Sequence, residues 1–114
     1  MEKITAIIPC FNEEHNIKAA IESCLFADEI ICVDSFSTDK TVEIIKSYPQ
    51  VKLLEHEYIH SAAQKNWTIP QASHDWIFLL DADETTNVSL IDEIKYTVSS
   101  SPKDVAFWIG RDNY

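Results

Sequence analysis

Glycine is nearly missing from this chain: Gly110 is the only one in 114 residues. A dinucleotide-binding fingerprint or a P-loop needs several glycines, so that backbone amides can close on phosphates, and both are therefore excluded. Any phosphate held here must be held by side chains or a cation. Basic residues are also scarce, nine against nineteen acidic ones, for a formal charge of -10. That balance argues against nucleic acid as a partner, because a phosphate backbone asks for lysine and arginine in number. It also disfavours adhesion of this segment to an anionic membrane. The three cysteines, Cys10, Cys24 and Cys32, are odd in number and form no C-x-x-C pair. A disulfide framework or structural zinc site is thus not expected, and the thiols read as small buried hydrophobes. The four histidines show no metal-ligand spacing, and His56 and His60 are read as solvent-exposed loop residues. No apolar run is long enough for a membrane span, and "MEKITAIIPC" lacks the features of a signal peptide, so we expect a cytoplasmic chain.

What is present suffices for one folded domain. The chain is 46% hydrophobic and 11% aromatic, enough apolar surface to offset chain entropy in a single core. "KITAIIP" reads as a short buried strand rich in β-branched residues, followed by a helix capped by Asn12 with Glu13 and Glu14 in its first turn. Ile17, Ala20, Ile21, Cys24 and Leu25 form the inward stripe of that helix. "EIICVD" is a second strand, "SFSTD" a capping turn in which Ser37 or Thr38 caps, and a second helix turns Val42, Ile45 and Ile44 inward. "VKLLEH" is a third strand, residues 61–73 a third helix interrupted near Pro70, and "WIFLLD" a fourth strand buried on both faces. A fourth helix over 88–98 and a last strand, "VAFWIG", follow. Alternating strands and helices of these lengths predict a parallel α/β sheet covered on both sides.

In such sheets ligands bind outside the carboxyl ends of the strands. Three of those ends carry polar groups: "PCFNEE", "VDSFSTD" and "LDADE". Asp34, Asp81 and Asp83 end buried strands, where side chains have little freedom. Asp81 and Asp83 sit one residue apart, so they can share a hard divalent ion, directly or through a water. Left alone, carboxylates that close would raise each other's pKa.

The blocks "ITAIIPCFNEEHNI", "EIICVDSFSTDKTVEI", "SAAQKNWTIPQASHDWIFLLDADE" and "WIGRDNY" resemble successive segments of the family 2 glycosyltransferases of GT-A fold. The resemblance covers essentially the whole chain, and within the family it is nearest the branch that adds glucose to bacterial lipopolysaccharide or lipooligosaccharide core. It implies a GT-A, Rossmann-like nucleotide-diphospho-sugar transferase fold, of which residues 1–114 are the sugar-nucleotide-binding part. It also implies a UDP-sugar donor, UDP-glucose, a Mg2+ or Mn2+ cofactor, and inverting transfer to a glycan or glycolipid acceptor at the inner face of the membrane. Pro9, Phe11 and Glu13 fall where the family lines base and ribose, Asp34 where it meets uracil, and Lys65 at its basic nucleotide-facing position. Asp81 and Asp83 match the D-x-D pair: the first contacts ribose or metal, the second binds the metal, and Glu84 is a neighbour. One departure is that many members carry two acidic residues and a glycine where this chain has Asp34, Ser35 and Phe36. Another is that the general base and acceptor-binding part are expected beyond Tyr114, so no catalytic residue is assigned.

Two other readings compete. "LLDADETT" also fits the hhhhDxDxT motif of haloacid-dehalogenase-type phosphatases, although they carry it on the first strand. A non-catalytic nucleotide or metal-binding module, associating as a homo-oligomer through apolar surface near "VAFWIGRDNY", is the other.

Overall fold

Among the described residues five strands, all parallel, form one sheet in the order β3-β2-β1-β4-β5. The structure, a computed structural model, describes residues 3–58, 61–74, 76–83, 91–94, 96 and 107–108, with the backbone only at Ser61, Ala62, Lys65, Phe107 and Trp108. The strands are β1 (Ile4–Cys10), β2 (Glu29–Asp34), β3 (Val51–Glu55), β4 (Trp76–Leu79) and β5 (Phe107–Trp108). The helices are α1 (Ile17–Ser23), α2 (Thr41–Lys46) and α3 (Ser61–Thr68), the last continued by a 3-10 turn over Ile69–Gln71. Residues 91–94 and 96 are helical; the rest of the helix expected over 88–98, the remainder of the last strand and Glu84 lie outside the described residues.

The apolar strands are buried on both faces because side chains alternate across the sheet. On one face Ala6, Ile8, Cys32, Trp76 and Phe78 pack with Ile17, Ala20 and Ile21 of α1 and Ile45 of α2, and Ile94 joins them. Phe26 and Phe78 meet there with ring centroids 5.7 Å apart and planes tilted by 58°. On the other face Ile7, Ile31, Val33, Ile77 and Leu79 pack under Trp67, Ile69 and Ala72. Core burial of this kind contributes roughly 1.5–3 kcal/mol per large side chain. At the amino ends of the strands Glu29 gathers the Thr5 hydroxyl (2.8 Å), the Ser73 N–H (2.8 Å) and the Ser73 hydroxyl (3.0 Å). Burial pushes the Glu29 carboxyl up, but these donors and nearby His74 outweigh it and hold the group below the usual carboxylate range.

The first two helices begin later than the sequence suggests. Asn12 does not cap α1. Its backbone is left-handed (φ 51°), and the helix starts at Ile17 behind Asn16, with Glu13 and Glu14 in the preceding turn. Leu25 falls past the end of α1 and is 50% exposed, while Cys24 takes the last inward position. Neither Ser37 nor Thr38 caps α2. Lys40 precedes that helix, and Asp39 accepts hydrogen bonds from the Thr41 N–H and hydroxyl. The inward residues of α2 are Thr41 and Ile45, with Ile44 partly buried against the same core.

Pro9 ends the pairing between β1 and β4. Alternate residues of a parallel strand address the same neighbour. Ile7 does so toward β4, its carbonyl accepting the Leu80 N–H at 3.1 Å, so the missing Pro9 N–H falls on that side, past the last register pair Ile7↔Leu79. On the other side β1 stays paired with β2 through Cys10↔Asp34.

Candidate active site

The strand order reverses at β1: β2 and β3 extend to one side and β4 to the other. Such a switch point, at the carboxyl ends of the strands, is where open α/β sheets make their ligand crevice. A cavity of about 260 Å³ occupies that position. It brings together Pro9, Phe11 and Glu13 from the end of β1, Ser35 from the end of β2, and Asp81 and Asp83 from the end of β4. Tyr58 and Gln64 complete the wall on the β3 side. Asp81 and Asp83 are both exposed, with Ala82 buried between them. Beside this cavity lies a hollow of about 460 Å³ walled by Phe11, Ser35, Phe36, Glu57 and Tyr58, of which Phe11, Ser35 and Tyr58 line both.

The loops after β1 and β2 are laced together. The Asn12 N–H donates to Ser37 Oγ (2.8 Å) and Asn12 Oδ1 accepts the Thr38 N–H (2.8 Å). The Glu13 N–H donates to Thr41 Oγ1 (2.8 Å), the Glu14 N–H to Asp39 Oδ2 (3.2 Å), and the Lys40 N–H to Glu14 Oε1 (3.0 Å). Burial raises Asp39, yet hydrogen bonds from Thr41 and the Glu14 N–H outweigh it and hold the carboxyl low. These bonds explain the residue types better than caps do: Asn12, Ser37, Asp39 and Thr41 supply the side-chain acceptors for four loop N–H groups.

Asp34 is fully buried and turned inward. Its Oδ2 accepts the Ser37 N–H (2.8 Å), its Oδ1 the Ser37 hydroxyl, and the Cys10 thiol approaches Oδ1 at 3.7 Å. The carboxylate thus fastens the loop, while the next residue, Ser35, reaches the cavity. Gln64 stands behind Ser35: its Nε2 donates to Ser35 Oγ at 3.0 Å, and its Oε1 lies 3.2 Å from His56 Nδ1. His56 is not a free loop histidine, for its ring stacks on Trp67 with centroids 3.9 Å apart and planes 22° from parallel. The contiguous "QKNW" thereby acquires two physical explanations, Gln64 behind the cavity and Trp67 as the stacking and core residue; Lys65 lies on the same helix, α3. Ser35, Tyr58 and Gln64 were not foreseen as cavity residues. Gln64 and Ser35 are 29 positions apart, and no local pattern announces such a pair.

The cysteines carry no nucleophilic chemistry. All three are free and buried. Burial pushes the Cys24 thiol up to about 12 and raises Cys32, and burial together with Cys32 and Asp34 raises Cys10 at the cavity wall, so each stays protonated. Among the described residues no cluster of three or more metal-binding side chains occurs. Two carboxylates alone could hold a hard divalent ion only if its remaining oxygens came from a ligand and water, as Mg2+ commonly takes them.

The parallel sheet flanked by helices is that of the GT-A fold, and solved structures share this fold. S. aureus TarS superposes with a TM-score of 0.74 at 22% identity, over 85% of this chain and 32% of that one. Glucosyl-3-phosphoglycerate synthase from Mycobacterium tuberculosis, solved with Mn2+, UDP and glucosyl-3-phosphoglycerate, gives 0.60 at 21% identity, over 74% and 36%. The chain belongs to glycosyl transferase family 2, whose model matches residues 5–109. An uncharacterized glycosyltransferase of Rickettsia bellii is 40% identical over 104 residues, 90% of this chain and 35% of that protein. The lipopolysaccharide core biosynthesis glycosyltransferase LpsC of Rhizobium meliloti is 31% identical over 115 residues, 97% of this chain and 43% of its own length. The chain thus spans 35% and 43% of the lengths of these two relatives. The family match sets aside the phosphatase reading, and the acidic motif does follow the fourth strand rather than the first. No described helix is long and apolar enough to cross a membrane.

Proposed function

We propose that residues 1–114 form the donor-binding part of an inverting glycosyltransferase. It holds a UDP-sugar, UDP-glucose in our reading, for transfer to a glycan or glycolipid acceptor of lipopolysaccharide-core type at the inner face of the membrane. The observation that carries the proposal is the meeting of Pro9, Phe11, Glu13, Asp81 and Asp83 around one cavity at the sheet's switch point. The M. tuberculosis neighbour solved with UDP and Mn2+ supports the donor class, and the relative named for lipopolysaccharide core biosynthesis supports the acceptor class.

Each residue has a role that its chemistry permits. Pro9 and Phe11 offer flat apolar walls to base and ribose. The Glu13 carboxylate, steadied at Oε1 by Asn16 Nδ2 (2.9 Å), accepts from ribose hydroxyls. Asp34 serves the base by holding the loop that presents Ser35, and Lys65 adds a cation on the nucleotide side. Asp81 contacts ribose or metal and Asp83 binds the metal. A bound Mg2+ or Mn2+ would neutralise charge on the departing nucleoside diphosphate. We assign the general base to no residue of this chain.

The test is thermal unfolding with UDP, with and without Mn2+. UDP plus Mn2+ should raise Tm, and Asp83→Ala should remove the metal-dependent part. A ligand at one hundred times its Kd adds about 2.7 kcal/mol, which in a domain of this size is a shift of several degrees. If neither UDP nor any other nucleoside diphosphate stabilises the chain with Mg2+ or Mn2+, the proposal fails.

A further inference from the structure

Ser35 lies where the two cavities join, together with Phe11 and Tyr58, between the acid-edged side at Asp81 and Asp83 and the hollow that Phe36 and Glu57 complete. A flat heterocycle suits the hollow and a charged diphosphate the acidic side through a cation, so Ser35 stands at the edge of the base. Its side chain is not a freely rotating hydroxyl. Ser35 is 9% exposed and Gln64 2%, and Gln64 Nε2 donates to Ser35 Oγ at 3.0 Å. Gln64 is held in turn: its Oε1 faces His56 Nδ1 (3.2 Å), His56 is stacked on Trp67, and the Gln64 carbonyl accepts the Thr68 hydroxyl (2.7 Å). With Nε2 committed to Ser35, Oε1 is the acceptor and His56 carries its proton on Nδ1.

A hydroxyl has one hydrogen to give. Because Ser35 Oγ already accepts from Gln64, and no described residue takes its hydrogen, that hydrogen is available to the cavity. We propose that Gln64 sets the polarity of Ser35, and that Ser35 thereby selects a base presenting a carbonyl oxygen, uracil, over one presenting an amino group in its place, cytosine. Ser35 is the specificity residue and Gln64 its positioning residue. The inference rests on reading the crevice as a nucleotide-sugar site. A site built to donate rejects the partner that also donates, because both groups are then left unmatched in a dry pocket.

The test is calorimetric titration of the whole chain with UDP and with CDP, each with Mn2+. The wild type should prefer UDP by roughly tenfold, the worth of one matched against one mismatched hydrogen bond. Ser35→Ala should bring that ratio to about one, while UDP affinity falls only several-fold. Gln64→Glu replaces the donor with an acceptor, so Ser35 turns its hydrogen toward Glu and its lone pairs toward the cavity, and the UDP:CDP ratio should fall below one. A merely structural role for Gln64 would weaken both nucleotides alike and leave the ratio unchanged. Should Gln64→Glu not fold, Ser35→Ala decides alone: an undiminished preference overturns the proposal. Equal binding of UDP and CDP by the wild type overturns the relay and leaves the donor site standing. Failure of both to bind overturns the donor site and the relay with it.

Discussion

Phe36 is the residue whose backbone conformation contradicts its type. Its φ is 59°, in the left-handed region where a Cβ crowds the following carbonyl. That conformation costs a non-glycine residue about 1–2 kcal/mol. Its ring is 57% exposed, so burial returns only a fraction of the cost. Phe36→Gly removes the crowding but adds freedom to the unfolded chain, worth about 0.4–1 kcal/mol in the other direction. Phe36→Ala keeps the Cβ and loses the same ring. The comparison of glycine with alanine therefore isolates the backbone term, and a net gain of roughly 0.5–1 kcal/mol corresponds to a Tm about 2–4 °C higher for the glycine variant. Differential scanning calorimetry of both variants without ligand measures it. Nucleotide affinity should fall in both, since each removes a wall of the aromatic hollow. A glycine variant no more stable than the alanine variant would refute the claim of strain, and unchanged affinity in both would refute a role for the ring. If both effects appear, a phenylalanine in a backbone conformation that suits glycine is retained for its side chain at a cost in stability.

The core and the carboxylates give further expectations. Ile8→Ala, at a fully buried position of the central strand, should cost about 2–5 kcal/mol in urea unfolding, because it removes apolar contact and leaves a cavity between sheet and helices. Glu29 has its folded pKa lowered by its donors, so its stabilisation is complete above the unfolded carboxylate value and is lost as pH falls through the folded one. Urea midpoints measured between pH 7 and pH 3 should therefore drop for the wild type, and Glu29→Gln should start lower at pH 7 and show a shallower fall; identical slopes would count against the assignment.

The sheet was legible because its signals are local and redundant. "EIICVD" occupies β2 residue for residue, and the continuous apolar runs match strands covered on both faces. The carboxyl-end rule brings "PCFNEE" and "LDADE" to one edge of the sheet, where Asp81 and Asp83 lie around one cavity with Pro9, Phe11 and Glu13. The loops were less legible. Asn12 before Glu13 and Glu14 looks like a helix start, yet here the asparagine spends its side chain on the Thr38 N–H of another loop. Asp34 at a strand end looks ligand-facing, but its orientation depends on Ser37 three residues later, whose N–H and hydroxyl both turn back to it. The Ser35–Gln64–His56 connection joins three separate elements, and no period or propensity encodes a contact of that range.

The end of the β1–β4 ladder has a consequence for how a crevice can exist in a closely hydrogen-bonded sheet. β1 keeps one neighbour through Cys10 and drops the other after Ile7, so β1 and β4 part like the tines of a fork. Prying two paired strands apart would ordinarily leave donors stranded, but Pro9 has no N–H to strand. The opening is thus written into the covalent structure of one imino acid: the backbone arrives already parted, and the carboxylates of Asp81 and Asp83 stand on the tine that turns away.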